Sequence, residues 1–424
     1  MEPPNFLAPR ASPALQPALS YGAAFGALKE SGLWSEADPD GSIVLGVAEN
    51  KISADVLYER IRELGQWPPE LLTYQAWRGI PALGEALKSM LESTFMQGIN
   101  VNVDHITCTA GAGAVVDLLF HCITSPGDGV LISAPYYPAF DNDLGVRNAT
   151  AAVPVHLDPA GAPLGEQLSA AAAASAARDV AIKALLISNP SNPLGTVVPE
   201  GELREMMAWC LANGVHFVSD EIYALSVFGA GGPAFVSAAV LAEREAAAMP
   251  GGENAADLVH VIFGMSKDFC ASGLRLGCLH SRNPSLNDAL VNLAYFTLPS
   301  APIQWLFAEL LGDAKFLRHY VAENNRRLLH SYQTLTDALD AAGGDPIPYV
   351  PATAAMFLWI DLRAGLRAPT WEEERSLWRY MACHAAEPGF FRVCWAWMPP
   401  GALVAAAGRV AAAVREHRAL PKGG

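Results

Sequence analysis

The sequence contains no long hydrophobic run. Although 51% of its 424 residues are hydrophobic, no uninterrupted apolar stretch approaches the ~18 residues of a membrane-spanning helix. Residues 1–5 lack the basic start and apolar stretch of a signal peptide. Basic residues are also few, since 28 Lys and Arg stand against 43 Asp and Glu, for a formal net charge of -15. We therefore expect a cytoplasmic protein whose main partner is neither a membrane nor a nucleic acid.

The cysteines and histidines form no disulfide or metal-binding pattern. Seven cysteines are dispersed along the chain without a Cys-x-x-Cys pair, and we interpret them as reduced thiols of a cytosolic protein. The ten histidines are equally scattered, and their spacing matches no common metal-ligand motif. The sequence therefore predicts no structural metal.

Helical and strand-like segments alternate along most of the chain. The first 40 residues, rich in proline, alanine and glycine, predict an arm that leads to a short strand over 42–47. Several later strand candidates are apolar throughout, as strands covered on both faces are. The helix predictions are Pro81–Leu91, Ala112–Cys122 and Glu200–Ala212, and the strand predictions are His105–Thr109, Gly129–Ser133, Lys183–Ser188, Val215–Ser219, Leu258–Phe263 and Leu276–His280.

This alternation predicts an α/β fold with a large, mostly parallel sheet covered by helices. The length suits two domains, and we expect a smaller α+β domain formed from both chain ends. The predicted boundaries are 1–60 for the arm and part of the small domain, 61–310 for the large domain and 311–424 for the C-terminal small domain.

The C-terminal part begins with a predicted helix over 314–342, followed by strands near 356–361 and 391–396 and a closing helix after Pro400. We interpret an alanine-rich stretch at 170–177 as an exposed helix. Gly-Gly-Pro and Pro-Gly-Gly sequences mark the segment 229–257 as a surface insertion.

Lys267 lies in the run Phe263-Gly264-Met265-Ser266-Lys267, after an apolar strand candidate, and Arg275 follows eight residues later. A lysine presented among small residues can offer its amine for Schiff-base chemistry, while a nearby arginine holds a phosphate. A solvated loop lysine is the ordinary alternative for a lysine considered alone. Other motifs, in a fixed order along the chain, decide against it.

Two polar motifs follow buried strand candidates. The prolines of Asn189-Pro190-Ser191-Asn192-Pro193-Leu194-Gly195 stiffen a loop, so that an asparagine amide can point rigidly at a ligand. Asp220 ends the next strand, where open α/β sheets place ligand groups, and Tyr223 follows three residues later. Such a carboxylate can pair with a pyridinium nitrogen, and the phenol can bond a ring oxygen. An ordinary turn and a helix cap are the respective structural alternatives.

Three more motifs supply groups for the same kind of ligand. The segment 109–114 joins a strand to a helix through glycines and alanines, which leaves backbone amides facing outward to bind phosphate. Tyr137 can stack on a flat ring, with core packing as the alternative. Arg392 lies in an apolar strand candidate, where its charge needs a carboxylate from a substrate or from the chain itself.

In this order and spacing, the motifs resemble the pyridoxal-phosphate enzymes of fold type I, the class I/II aminotransferases, over about residues 40–410. The resemblance implies pyridoxal 5′-phosphate as cofactor, bound by the large domain, and an amino acid as substrate. It implies Lys267 as the Schiff-base lysine and Asp220 as the partner of the pyridinium nitrogen. The other implied contacts are Asn192 and Tyr223 at the ring oxygen, Tyr137 on the ring face, Ala112, Gly113, Ser266 and Arg275 at the phosphate, and Arg392 at the substrate carboxylate.

Within that family the chain is most similar to the 1-aminocyclopropane-1-carboxylate synthase-like branch, which includes fungal members of secondary-metabolite pathways. The similarity rests on Gly46-Val47-Ala48-Glu49-Asn50, on residues 136–144 and on residues 387–394. It implies that Ala48 and Glu49 lie beside the substrate, together with Asn192. It also implies a homodimer whose active sites share residues between subunits.

The chain departs from that branch in three places. Trp77-Arg78-Gly79 stands where the synthases have Tyr-His-Gly, so Tyr74 becomes the candidate for the tyrosine that reaches the partner's cofactor. Gly113 replaces a threonine, which removes one phosphate hydrogen bond worth about 1 kcal/mol, and Gly264 replaces a serine. The stretch 379–386 is shorter than in relatives, which would open one wall of the substrate site.

We expect an enzyme in which the Lys267 amine removes the α-proton of an amino acid. Transamination is the first prediction, because it needs only the shared residues. Carbon–sulfur cleavage of cysteine-derived conjugates is the second, favoured by the shortened stretch, and 1-aminocyclopropane-1-carboxylate synthase-type elimination, for which Glu49 is present, is the third. A cofactor-binding protein without turnover is the alternative outside enzymes, and the joint presence of Lys267, Asp220 and Arg392 argues against it.

Overall fold

The computed structural model describes residues 8–15, 32–229, 231–245, 256–343, 346–377 and 385–419. Within them the chain forms a seven-stranded sheet and a separate three-stranded sheet. The predicted α/β architecture is confirmed.

The large sheet has the strand order β1-β7-β6-β5-β4-β2-β3. Strands β2 to β6 pair in parallel, and β7 runs antiparallel to both of its neighbours, β1 and β6. The strands are β1 (Ile106–Thr109), β2 (Gly129–Ser133), β3 (Ala151–Val155), β4 (Ile182–Ser188), β5 (His216–Asp220), β6 (Val259–Gly264) and β7 (Gly277–Ser281).

Alternate residues of the inner strands face two different hydrophobic cores. Leu131 and Leu185 pack in one core, whereas their neighbours Ile132 and Leu186 pack in another. Helices must therefore cover both faces, which explains why these strands are apolar throughout. The six predicted strands are confirmed to within one residue at each end.

Strand β3 was not predicted. It lies at the edge of the sheet, is only partly buried and contains Pro154. A proline has no N–H to donate, so it is tolerated at an edge but argues against a strand when the sequence is considered alone. Because an edge strand is only partly buried, its sequence lacks the continuous apolar run that identified the other strands.

The helices begin and end near the predicted boundaries, and Glu200–Ala212 matches its prediction. The longest described helix ends at Ala341 and is capped at its start by Asp313, whose carboxylate accepts two backbone N–H groups. The helices are α1 (Ala54–Leu64), α2 (Pro81–Ser93), α3 (Ala112–Ile123), α4 (Ala139–Gly145), α5 (Leu164–Ala176), α6 (Glu200–Ala212), α7 (Ala238–Glu245), α8 (Met265–Asp268), α9 (Pro284–Ala294), α10 (Ala301–Gly312), α11 (Ala314–Ala341), α12 (Trp371–Leu377) and α13 (Pro400–Ala419).

The small sheet is antiparallel and consists of β8 (Tyr349–Val350), β9 (Phe357–Asp361) and β10 (Phe390–Cys394), in the order β10-β9-β8. Its core includes Val44 and Leu45 from the N-terminal part together with residues of the C-terminal third. Both ends of the chain therefore contribute to this unit, and the three domain boundaries stay predictions.

The predicted strand over 42–47 is wrong. Ser42 makes only an isolated bridge with Leu33, and the Leu45 carbonyl accepts one hydrogen bond from β10. Side chains bind the carbonyls farther along, since Arg392 donates to Gly46. The end of the segment therefore lies at the active site, where its backbone binds a side chain instead of a neighbouring strand.

The predicted surface insertion and the shortened stretch fall partly outside the described residues. In the insertion 229–257 the structure describes α7 but not residues 230 and 246–255, and the shortened stretch is not described between 379 and 384. No described helix is both long enough and apolar enough to cross a membrane.

Candidate active site

Lys267 lies in the single turn of α8, which follows directly after β6. Its Nζ donates a hydrogen bond to the carbonyl oxygen of Ala48. Burial lowers the pKa of Lys267 to about 8, and the nearby charge of Arg392 acts in the same direction. When the pKa of a lysine is lowered, a larger fraction of its amine is uncharged near neutral pH. The uncharged amine is the form that makes Schiff bases and accepts protons.

Asn50 holds the backbone beside this lysine. Its Nδ2 donates to the Lys267 carbonyl and to Asn324 Oδ1, both at 3.1 Å, and its own Oδ1 accepts from the Ile52 N–H. The residue is fully buried. Sequence reasoning included Asn50 in a motif without giving it a role, and the signal that could have identified it is its place next to Glu49.

Asp220 ends β5 with its side chain buried. Its Oδ1 accepts a 3.3 Å hydrogen bond from the Ile222 N–H, and a turn rather than a helix follows, so the helix-cap alternative is wrong. Burial raises the pKa of Asp220 to about 7, while the Ile222 N–H and the charge of Lys267 act against that rise. None of the described basic residues forms an ion pair with it. A protonated ring nitrogen would supply the missing positive charge, so this residue fits pyridoxal phosphate.

Asn192 and Arg392 meet above the carboxyl ends of the central strands. Arg392 Nη1 donates to Asn192 Oδ1 at 2.8 Å, and its Nη2 donates to the Gly46 carbonyl at 2.7 Å. The guanidinium also lies over the Phe357 ring, 4.6 Å from its centre. These contacts fix a buried cation beside Lys267, in a place where a substrate carboxylate can be bound.

Two tyrosines flank this region. Tyr223 is 2% exposed and packs edge-on against Phe357, with ring centres 5.5 Å apart. Burial raises the pKa of Tyr223 well above its usual value, so the phenol keeps its proton and can donate a hydrogen bond. Tyr137 is partly buried and packs edge-on against Phe140 at 5.4 Å.

The segment after β1 forms an anion-binding turn. Gly111 has a φ of 96°, and a Cβ at this position would lie 2.2 Å from Arg275 Nη2, so only glycine fits beside the guanidinium. Arg275 donates to the carbonyls of Ala110 and Ser272, at 3.2 and 2.9 Å. The first N–H groups of α3 have no intrahelical partner, and they lie at the positive end of its dipole.

Ala112 and Gly113 form the first turn of α3, and Ser266 is buried in the turn that carries Lys267. A Cβ on Gly113 would meet no atom within 4 Å, so the space left by the missing threonine is open. Gly264 differs, because a Cβ there would lie 2.9 Å from the Leu276 carbonyl oxygen. Helix amides, a serine hydroxyl and an arginine are a donor set that suits a phosphate group.

Glu49 is held close enough to Lys267 for their charges to interact. Its carboxylate accepts hydrogen bonds from Ser272 Oγ at 2.5 Å and from Trp397 Nε1 at 2.9 Å, and Lys51 Nζ lies 3.9 Å away. Burial acts to raise the pKa of Glu49, but the two hydrogen bonds and the neighbouring lysines outweigh it and leave the pKa below its usual value. The site therefore holds a fixed negative charge. Sequence reasoning identified Glu49 but not the Ser272 and Trp397 donors, which are distant in the sequence.

Tyr74 is fully exposed and contacts none of these groups within one chain. Trp77 is also exposed and packs edge-on against Tyr295, whose ring lies 5.0 Å from that of Phe296. A tyrosine that completes a partner's site would be exposed in the single chain, so the prediction for Tyr74 remains open to a test.

The geometry agrees with comparisons to known proteins. The sequence model of the family described as "Aminotransferase class I and II" matches residues 43–410. The chain belongs to the class I and II aminotransferase family. Pyridoxal 5′-phosphate is the cofactor of this family and of this family member, and the donor sets at Asp220 and at the start of α3 fit its ring nitrogen and phosphate.

Curated relatives of this family member include plant proteins. It is 36% identical to 1-aminocyclopropane-1-carboxylate synthase 1 of Oryza sativa subsp. indica, over 85% of this chain and 78% of the relative. It is 33% identical to 1-aminocyclopropane-1-carboxylate synthase CMA101 of Cucurbita maxima, over 90% of this chain and 84% of the relative. The predicted similarity to the synthase-like branch is confirmed.

Solved structures show the same fold at lower identity. An aminotransferase from Mycobacterium tuberculosis aligns with a TM-score of 0.71 and 21% identity, over 97% of this chain and 100% of that one. Aspartate aminotransferase from Thermus thermophilus with maleate aligns with a TM-score of 0.70 and 19% identity, over 96% and 100% of the two chains. The predicted fold type is therefore confirmed.

Proposed function

We propose that the protein converts an α-amino acid by removing its Cα proton with the Lys267 amine, and that transamination is its main reaction. The observation that carries this proposal is the arrangement around Lys267, with a lowered pKa, a buried carboxylate at Asp220 and a fixed guanidinium at Arg392. Together they supply a base, a partner for the ring nitrogen and an anchor for a carboxylate.

Each of these residues has a distinct task in that chemistry. Pyridoxal phosphate, when bound, accepts the electron density that develops at Cα. Asp220 would keep the ring nitrogen protonated, Tyr223 and Asn192 would donate to the ring oxygen, and Tyr137 would lie on the ring face. The start of α3 with Gly113, Ser266 and Arg275 would hold the phosphate. Arg392 would orient the substrate carboxylate, so that the Cα–H bond faces the Lys267 Nζ atom.

Transamination is the first choice because Lys267 alone can move the proton that it needs. The Lys267 amine would take the proton from Cα and would also be the group that gives it back, so the reaction would need no further acid from the chain. The resemblance to solved aminotransferases is one of fold and adds no information on substrate.

A specific observation favours a second reaction. Glu49 is held as a carboxylate by Ser272 and Trp397, with a pKa below its usual value. A fixed negative charge near Lys267 can stabilise a positively charged leaving group on the substrate side chain. Relatives that are 32–36% identical are named 1-aminocyclopropane-1-carboxylate synthases, and elimination of this type is the second candidate.

The products of a substrate panel separate these reactions. The holoenzyme is incubated with amino acids, with cysteine conjugates and with S-adenosylmethionine, each with and without a 2-oxo acid acceptor. Transamination predicts product only with acceptor, whereas elimination predicts 1-aminocyclopropane-1-carboxylate without it and loss of that product in Glu49→Gln. Release of a free thiol without acceptor would instead indicate the carbon–sulfur lyase reaction left open by the sequence, and Lys267→Ala is the inactive control for all three.

We also propose that two copies of the chain form a dimer with shared active sites. Tyr74, Trp77, Tyr295 and Phe296 are large exposed side chains, and three of their rings pack together. Such an exposed aromatic patch is typical of an interface. Tyr74 would then reach the partner's cofactor.

A further inference from the structure

A cavity of about 230 Å³ lies at the carboxyl ends of β2 and β4. Its wall comes from the segment 133–136, from the segment 157–164 between β3 and α5, from the end of β4 with the loop 191–199, and from the start of α6. Lys267, Asp220 and Arg392 do not line it, so it is separate from the amino-acid site. A cavity of ~150 Å³ is enough to hold benzene, so this one can hold a ring with a substituent.

Most of the cavity wall is apolar. The exposed member of the lining is Pro159, which marks the mouth, whereas Leu164 and Met206 are fully buried. The apolar lining includes Leu157, Leu164, Ile187, Leu194, Val197 and Met206. An occupant with a hydrocarbon body would remove this surface from water.

The polar groups of the wall select the charge of the occupant. Glu202 lines the cavity, and burial together with the nearby charge of Glu205 raises its pKa. None of the described basic residues pairs with Glu202, and the lining contains no Lys, Arg or His. Ser188 Oγ is buried without a hydrogen-bond partner among the described residues. A wall with one unpaired carboxylate and no cation favours a positively charged ligand and disfavours a carboxylate-bearing one.

One residue of the cavity wall also contacts the amino-acid site. Asn192 lines the cavity and accepts the hydrogen bond from Arg392. Tyr136 also lines it and directly precedes Tyr137 in the chain. A molecule in the cavity therefore contacts a residue that faces both sites.

We propose that this cavity binds a small organic cation with an apolar body, and that its occupant changes the surroundings of the bound cofactor through Asn192. The occupant needs no free amine and no carboxylate. This separates it from any amino-acid substrate of the proposed reaction.

The test uses benzyltrimethylammonium and the holoenzyme. This probe has no N–H group, so it cannot form a Schiff base with pyridoxal phosphate. Isothermal titration calorimetry measures its binding, and the visible absorption of the bound cofactor gives a second signal that does not require the reaction to be known. Glu202→Gln removes the charge, and Pro159→Trp covers the mouth. Glu166→Gln is the matched control, because Glu166 is an exposed acid on α5 that does not line the cavity.

We expect one equivalent to bind to wild type and to shift the cofactor absorption. Glu202→Gln should weaken binding about tenfold and Pro159→Trp at least as much, whereas Glu166→Gln should bind like wild type. No binding up to about 10 mM would overturn the proposal, as would binding that both cavity substitutions leave unchanged, since the cation would then occupy another place. Binding without any change in absorption would overturn the part assigned to Asn192. If Glu202→Gln does not fold, the binding measured with Pro159→Trp still tests the proposal, because position 159 is exposed.

Discussion

At the scale of single residues, Asp220 carries a charge that the fold tolerates only with a positive partner. Its pKa of about 7 lies above the ordinary value of 3.8. The folded chain therefore holds the proton to higher pH than the unfolded chain does. Without cofactor, the contribution of Asp220 to the free energy of unfolding is largest at low pH and is lost as the pH rises from about 4 to about 7.

We therefore predict opposite effects of Asp220→Asn with and without cofactor. At pH ~8 the cofactor-free variant should unfold with a free energy higher by on the order of 1–3 kcal/mol, because no buried charge remains, and near pH ~4 the difference should vanish. With pyridoxal phosphate present, the variant should bind the cofactor more weakly than wild type. Denaturant unfolding at the two pH values measures the first effect, and a variant less stable at the higher pH would contradict the view that burial of an unpaired charge destabilises the cofactor-free chain.

Two neighbouring glycines provide a matched pair at the phosphate site. A Cβ on Gly111 would lie 2.2 Å from Arg275 Nη2, whereas a Cβ on Gly113 would meet nothing within 4 Å. Gly111→Ala should displace the guanidinium and weaken cofactor binding about 10- to 100-fold, the equivalent of a lost charged hydrogen bond. Gly113→Ala should change the affinity by less than about threefold. It should also stabilise α3, because alanine has a higher helix propensity than glycine. Equal affinities of the two variants, measured by fluorescence titration, would show that Arg275 does not hold the phosphate.

At the scale of elements, the loop that carries Asn192 is pinned between the two sheets. The Gly195 carbonyl accepts from the N–H groups of Thr353 and Ala354, both at 2.9 Å. Gly195 has a φ of 71°, and a Cβ there would lie 2.2 Å from the Phe357 carbonyl oxygen. The close approach of β9 leaves no room for a side chain.

Gly195→Ala should therefore lower the free energy of unfolding by on the order of 1–3 kcal/mol and also impair amino-acid binding, because the loop must move. The control is Gly201→Ala, in the first turn of α6, where a Cβ meets nothing within 4 Å and the change should stabilise by about 0.4–1 kcal/mol. Urea unfolding and substrate titration measure both effects. Unchanged stability of Gly195→Ala would mean that the loop and β9 do not pack closely against each other.

The sequence predicts elements well where burial is complete and poorly where it is not. Strands such as β6, buried along their whole length, are apolar runs that end at polar motifs. The partly buried β3 and the segment 42–47 carry no such signal, and carbonyls in and just after that segment bind Arg392 and Lys267 side chains instead of a neighbouring strand. Pairing of that kind joins residues more than 200 positions apart, which local pattern cannot reveal.

The site could be predicted where the chemistry needs a particular residue type in a motif. Lys267, Asp220 and Asn192 each follow or end a strand and were found in this way. Asn50, Ser272 and Trp397 act by orienting their neighbours across the fold. An asparagine, a serine or a tryptophan has many structural uses, so only the three-dimensional contacts distinguish these three from others of their kind.

At the scale of the whole molecule, the proposed dimer depends on an exposed aromatic patch. Trp77→Lys places a charge in that patch and should raise the dimer dissociation constant at least about tenfold, because a buried unpaired charge opposes association. Val404 is equally exposed but lies on α13, against the small sheet's core, so Val404→Lys is the control that should leave the dimer intact. Sedimentation velocity over a range of concentrations measures both. Wild type that stays monomeric at high concentration would contradict the proposal.

The most direct test of the central claim is hydrogen exchange at the substrate Cα. Amino acids are incubated in D₂O with the holoenzyme, and proton NMR follows the loss of the Cα–H signal, whichever reaction comes next. We expect exchange with wild type and a decrease of about 100-fold or more with Lys267→Arg, which keeps a cation at the position but has too high a pKa to act as a base. Exchange by Lys267→Arg at the wild-type rate would show that another group removes the proton and would contradict the role of Lys267 as the base.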